Sequence, residues 1–186
     1  DDTRQLEVIK PAVIGRSLDV EASIRAIQQK VAEGQHTIPL EFVVEKPPVT
    51  DDMTGEQLGI RELVHAETSY FYGSASSRVQ NITIASARYH GVLIAPGETF
   101  SMSEAMGDIS LENGFAEALI IVGGRTIKGV GGGVCQVSTT LYRSALLSNM
   151  KITERHNHSI YEGIPYADRG LDAAISWGSK NFRFVN

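Results

Sequence analysis

Residues 129–133 read Gly-Val-Gly-Gly-Gly, and no other stretch of the chain restricts the fold as much. The three consecutive glycines, Gly131, Gly132 and Gly133, free the backbone for turns closed to other residues and leave room for close approach. Directly after them the apolar residues take up a helix period: Val137, Leu141 and Ala145 recur at four-residue steps, and Leu147 and Met150 extend that surface. The single cysteine, Cys135, therefore stands where a glycine-rich loop turns into a helix. The N–H groups and dipole at a helix N-terminus favour an anion, so a thiol there is expected to ionise more easily. The same N–H groups can hold an oxyanion on a substrate carbonyl. Against this stands the commoner role of a lone cysteine, a small buried hydrophobe without chemistry.

Bulk properties narrow the classes of function. With 186 residues, the chain can bury a real core as one domain, or as one domain with a small appendage. A hydrophobic content of 42% beside 21% charged residues is that of a soluble globular protein. The net charge of −5 comes with no basic cluster, which argues against nucleic acid as a partner. No apolar run reaches the length of a membrane span. One cysteine forms no internal disulfide, so the redox compartment is left open. The chain begins at Asp1 and stops after a strand-like run, and it reads as a fragment excised from a longer protein.

Along the chain, Ser17 or Asp19 is suited to cap a helix with the stripe Val20, Ile24, Ile27 and Val31, stopped by Gly34. Alternation over residues 38–45 predicts a half-buried strand, and Pro47-Pro48 ends it. Residues 1–50 are thus expected to form a small subdomain, with Ile24, Ile27, Leu40 and Phe42 packed together, and 51–186 the main domain. In the latter, strands are expected at 63–72, 92–94, 118–122, 125–128, 151–155, 173–177 and 182–185, and helices at 76–89 and after Cys135. Pro96-Gly97 signals a turn, and Gly123-Gly124 a hairpin. Helices and strands mix without regular βαβ alternation, which predicts an α+β fold.

A cysteine nucleophile needs a base, usually histidine, and a third group to orient that base. His36, His65 and His90 lie in the N-terminal part or at element ends and read as structural. His156 and His158 stand together in a polar segment, Glu154-Arg155-His156-Asn157-His158-Ser159, of the kind that carries catalytic residues. Asp172 is placed to orient an imidazole or to cap a turn. Arg155 is suited to a substrate carboxylate, or to a salt bridge with Glu154 or Asp168. A zinc set of Cys135, His156 and His158 with a carboxylate ranks well below this, because the thiolate is alone and no Cys-x-x-Cys or His-Glu-x-x-His spacing supports it. The glycine run lacks the Gly-Lys-Ser/Thr ending and Gly-x-Gly-x-x-Gly spacing of phosphate loops, and no cofactor is expected.

Four blocks carry a family resemblance: Pro96-Gly97-Glu98-Thr99-Phe100-Ser101, the run from Gly131 to Tyr142, Glu154-Arg155 with His158-Ser159, and Gly170-Leu171-Asp172-Ala173-Ala174. In this order they closely resemble the VanW domain family, and the N-terminal helix and strand ending in Pro-Pro-Val-Thr resemble the tail of a peptidoglycan-binding domain. The resemblance implies an extracytoplasmic protein of the bacterial cell envelope, its parent anchored in the membrane, and a link to vancomycin-resistance clusters. It implies a peptidoglycan L,D-transpeptidase acting on stem peptides, with Cys135 as nucleophile, His158 as base and Asp172 in support. The substrate contacts it implies are Arg155, Gly131, Gly132, Gly133, Gln136, Ser138, His156 and Ser159. The family pattern has Asp where this chain has Asn181. A hydrolase using the same intermediate and a non-catalytic wall-binding module are the competing classes.

Overall fold

Asp19 caps the first helix. A strand, β1 (Gly15–Leu18), leads into it, and the Asp19 carboxylate accepts the Ala22 N–H at 2.8 Å at the start of α1 (Val20–Ala32). The chain then turns through Gly34, at φ 80°, and returns as β2 (Phe42–Glu45), antiparallel to β1 with Gly15 opposite Glu45. This computed structural model describes residues 6–122, 125–158, 166–176 and 178–186, and the chain falls into two compact units, Asp1–Glu62 and Leu63–Asn186.

In the first unit Ser23 is buried, and its hydroxyl accepts the Glu41 N–H at 2.9 Å. The expected apolar cluster does not form: Ile24, Ile27, Leu40 and Phe42 are 37–53% exposed. One helix and a two-stranded ribbon offer no second layer against which to bury such a face. Pro47-Pro48 lies inside this unit, because the Ala12 N–H donates to Asp51 Oδ1 at 2.7 Å and ties the residues beyond the prolines back to its start.

In the second unit, residues 63–72 and 92–94 form no regular element, although their composition suits strands. Strand-prone residues need a neighbouring ladder to express that preference. Side-chain links hold the first of these segments instead, with Glu67 on Arg143 at 2.8 Å and Ser69 on Thr140 at 2.7 Å. The elements then run α2 (Ser76–Ala87), β3 (Thr99–Ser101), α3 (Met102–Met106), β4 (Glu117–Val122), β5 (Arg125–Val130), α4 (Val134–Leu147), β6 (Lys151–Glu154) and β7 (Arg183–Val185). β4 and β5 pair antiparallel around Gly123-Gly124, which lie outside the described residues. β7 is the centre of an antiparallel sheet in the order β3-β7-β6, so the last strand of the chain has a neighbour on each side. Residues 173–176 join no sheet beyond a single bridge between Ser176 and Lys180, and Trp177 lies outside the described residues. This is an α+β fold.

Phe100, Met102, Met106, Phe115, Val134, Tyr142, Ala145, Ala173, Phe182 and Phe184 make the core, so α4 is packed between the sheet and segment 172–175. Asn181 works as a staple: its Oδ1 accepts the Ser103 and Phe182 N–H groups at 2.9 and 2.8 Å, and its Nδ2 donates to Ser101 Oγ at 3.0 Å. A carboxylate could accept those two N–H groups equally well, so Asn at this position leaves the fold intact.

Each glycine ahead of α4 has its own reason. Gly131 and Gly133 have φ of 89° and 111°, a region that L side chains rarely enter. Gly132 is buried against β4, where a Cβ would strike the Leu119 carbonyl and come within 2.8 Å of the Ala118 Cβ. The loop is anchored from α2 by the fully buried Asn81, whose Nδ2 donates to Gly132 O at 2.9 Å and to Ala116 O at 3.0 Å, while its Oδ1 accepts Ala116 N–H at 2.7 Å. Gly132→Ala is therefore expected to cost about 2 kcal/mol or more, the range for forced overpacking. Gly97→Ala, where φ is 81° but the space is open, should cost only about 1 kcal/mol of backbone strain. Thermal unfolding of the two variants measures the difference, and equal losses would remove close packing as the reason for Gly132.

Candidate active site

Cys135 is the second residue of α4 and is half-buried as a residue, with its sulfur turned inward. Its thiol points at segment 172–175, donating to Ile175 O at 3.6 Å. Ser138 and Thr139, one turn further on, bind the same segment: both hydroxyls donate to Ala173 O, and Thr139 Oγ1 accepts the Ala173 N–H at 3.1 Å. The other edge of this segment is held by the chain after β6, through Ala174 N–H to His156 O at 2.8 Å. One irregular stretch of backbone thus links the cysteine helix to the histidine segment.

At its start sits Asp172, fully buried. Its Oδ2 accepts the His158 N–H at 2.6 Å and faces His158 Nδ1 at 2.7 Å, while its Oδ1 accepts Arg155 Nη2 at 2.8 Å. Arg155 Nε donates to the Asp172 carbonyl at 2.7 Å, and its guanidinium lies 5.3 Å over the Tyr142 ring. Since an ionised carboxylate only accepts, Nδ1 is the ring atom that donates to it, and in the neutral ring this leaves the lone pair on Nε2. Burial pushes Asp172 up, but the His158 backbone and ring hydrogen bonds, with the His158 and Arg155 charges, outweigh it and hold the carboxyl below its ordinary value.

The thiol goes the other way. Burial pushes Cys135 up, and Asp172 adds to this; the Ile175 hydrogen bond and the Lys180 charge only partly offset it. The expected acidification at the helix start is not realised. Two of the first-turn N–H groups are turned to local carbonyls, Val134 to Gly131 and Gln136 to Gly133, and desolvation of the sulfur dominates what dipole remains. Tyr166, absent from the sequence-based set, has its hydroxyl pushed up, mainly by burial.

The family described as VanW like protein matches residues 77–186, more than half of the chain and all of the cysteine and histidine segments. The chain belongs to that family. A Bacillus subtilis (strain 168) protein named Uncharacterized protein YoaR is 38% identical over 118 residues, 63% of this chain and 38% of that protein. The Vancomycin B-type resistance protein VanW of Enterococcus faecalis (strain ATCC 700802 / V583) is 32% identical over 105 residues, 55% of this chain and 38% of that protein. The chain therefore spans about two fifths of the length of these relatives. No solved structure matches it. The likeness to a peptidoglycan-binding tail in residues 1–50 falls outside the VanW match.

Within this VanW unit the structure sorts the sequence-based residues. His158, Asp172 and Arg155 form one cluster, and Cys135 joins it through segment 172–175. His156 turns away, its Nε2 on Glu154 Oε1 at 3.0 Å. Arg155, read as a substrate clamp or a partner of Glu154 or Asp168, instead gives two donors to Asp172. Gln136 and Ser138 were expected among the substrate contacts, but both are buried. Gln136 bonds Arg78, Ser69 and Tyr70, and Ser138 bonds Ala173. Gly132 is closed off by β4, so the glycine run does not line a groove along its whole length. Ser159 lies outside the described residues. A cavity of about 390 Å³ opens on the other side of α4, against Val137, Leu141 and Ser144, away from the thiol.

Asp172→Asn is expected to lower stability by about 3 kcal/mol at neutral pH, because it strips a buried ion pair of its charge. The folded-state value lies below the ordinary 3.8, so the contribution is complete above 3.8 and is lost as pH falls through the folded value. Denaturant unfolding of both proteins should therefore converge in acid. A constant difference down to pH 2 would contradict the ionised pair.

Proposed function

We propose that this VanW unit is a cysteine-dependent acyl-transfer enzyme, an L,D-transpeptidase that crosslinks peptidoglycan stem peptides outside the cytoplasm through a thioester on Cys135. One observation carries the reading. Segment 172–175 has at one end the carboxylate that orients His158 and at the other the carbonyl that accepts the Cys135 thiol. A nucleophile, a base and an orienting acid are thereby indexed to one piece of backbone. The name of the enterococcal relative, a vancomycin B-type resistance protein, fits an action on the envelope.

Because burial keeps the thiol protonated, base catalysis is required. His158 Nε2 takes the proton as the Cys135 sulfur attacks the carbonyl carbon before the terminal residue of a stem. The oxyanion is met by the Cys135 N–H, the first-turn donor nearest the sulfur. Collapse breaks the C–N bond, and the imidazolium returns its proton to the leaving amine. An amine from a second stem then attacks the thioester, His158 takes its proton, and the thiol is restored. Water in place of that amine would make the same site a hydrolase.

Incubation with purified muropeptides, with products identified by mass, should give crosslinked dimers with the native protein and none with Cys135→Ala. Dimers from the variant would overturn the catalytic reading, and wall binding without turnover in either protein would favour a binding module. Alkylation of Cys135 by iodoacetamide should be slow at pH 7 and rise only at more alkaline pH than for free cysteine, since the thiolate appears as pH passes the raised value. Fast labelling at pH 6 would contradict a protonated resting thiol.

A further inference from the structure

Arg78 is a cation held in place by neutral groups. Its Nη1 donates to Ser74 Oγ at 2.9 Å and its Nη2 to Gln136 Oε1 at 2.6 Å, and among the described residues no carboxylate reaches its guanidinium. The other well-placed arginines of this unit do have acids: Arg143 has Glu67, Arg155 has Asp172, and Arg183 has Glu104. Gln136 cannot rotate to serve something else. Its Nε2 donates to Ser69 Oγ at 3.1 Å and Tyr70 O at 3.0 Å, which fixes Oε1 on the arginine. A buried amide is thus spent on orienting a guanidinium that no carboxylate of the described residues reaches.

The position of that guanidinium gives it a use. The Arg78 stem packs on the N-cap of α4, where a Cβ on Gly133 would lie 3.1 Å from Arg78 Cγ, two residues before Cys135. Two of the five guanidinium N–H donors are taken, and among the described residues no protein acceptor meets the other three. A planar fork with free donors matches a carboxylate in two-point contact.

We infer that Arg78 is the specificity-determining residue for the acyl donor, receiving the free C-terminal carboxylate of the stem peptide so that Cys135 acts one residue from a chain end. This rests on the acyl-transfer reading above. One residue of extended chain, about 3.5 Å, separates the attacked carbonyl from that terminal carboxyl group, which suits a cation anchored beside the nucleophile's own helix cap. Arg155 is not available for the role, since its Nε and Nη2 are committed to Asp172.

The test compares a synthetic stem tetrapeptide ending in D-alanine with its C-terminal carboxamide, using the full chain and measuring release of the terminal residue. The native protein should prefer the free acid by roughly 10- to 100-fold in kcat/KM, the scale of one charge-assisted pair. Arg78→Gln should bring the ratio of acid to amide close to one, mainly through KM, and Arg78→Lys should restore part of it. A thermal midpoint and a Cys135 alkylation rate close to native identify variants that are folded at the site. An acid-to-amide ratio that is unchanged in folded Arg78→Gln overturns the inference while leaving the acyl-transfer reading in place. A fall in amide turnover well below that of the native protein in that variant also overturns it, and assigns Arg78 to holding Gln136. Absence of turnover by the native protein, or turnover that persists in Cys135→Ala, overturns both.

Discussion

Much of the site depends on a carboxylate buried out of reach of water. Taking Asp172 inside costs several kcal/mol unless its charge is met, and three donors meet it: the His158 amide, the His158 ring and the Arg155 guanidinium. Those contacts do more than neutralise it. They fix the His158 ring by two bonds to one oxygen, and they fasten the chain after β6 to segment 172–175. Arg155 completes the arrangement by lying over Tyr142 of α4, which ties the acid to the cysteine helix through the core as well.

A second constraint comes from the other side of α4. Gly132 lets the loop press onto β4, and the buried Asn81 amide bonds that loop and the start of β4 together. The N-terminus of α4 is therefore set by α2 and β4, while its first turns are set by segment 172–175 through Ser138 and Thr139. Cys135 is held between two independently anchored surfaces. Such placement favours precise aim over easy ionisation, and the burial that supplies the aim is also what raises the thiol. On the proposed acyl-transfer reading, a site of this kind depends on its base more than on a preformed thiolate.

Membership of the VanW family fits this division of labour, since the matched residues 77–186 begin within α2 and run to the end of the central strand β7. The Asp1–Glu62 unit lies outside the match and leaves its apolar helix face exposed. The asymmetry has a plain physical origin. The larger unit has helices to cover its sheet and a shared aromatic core, whereas the smaller one has a single layer.

Local chemistry was legible directly. The Asp19 cap, the glycine turn at Gly34, the turn at Pro96-Gly97, the β4–β5 hairpin and the helix beginning beside Cys135 all follow from residues a few positions apart, and all are present. So was the family, from motifs in fixed order. What the sequence could not decide is every property that depends on a distant partner. Residues 63–72 have strand composition without a strand, because no edge is offered to them. Arg155 and Gln136 look like ligand contacts until Asp172 and Arg78, far along the chain, take their hydrogen bonds. Tyr166 carries no motif at all. The sequence by itself determined where the cysteine, the histidine and the acid would stand relative to their own helix, strand and loop. Only the tertiary structure decided that the thiol is raised, that the acid is lowered and which hydrogen-bond partners each side chain takes, because burial and pairing energies are set by the neighbours that folding brings together.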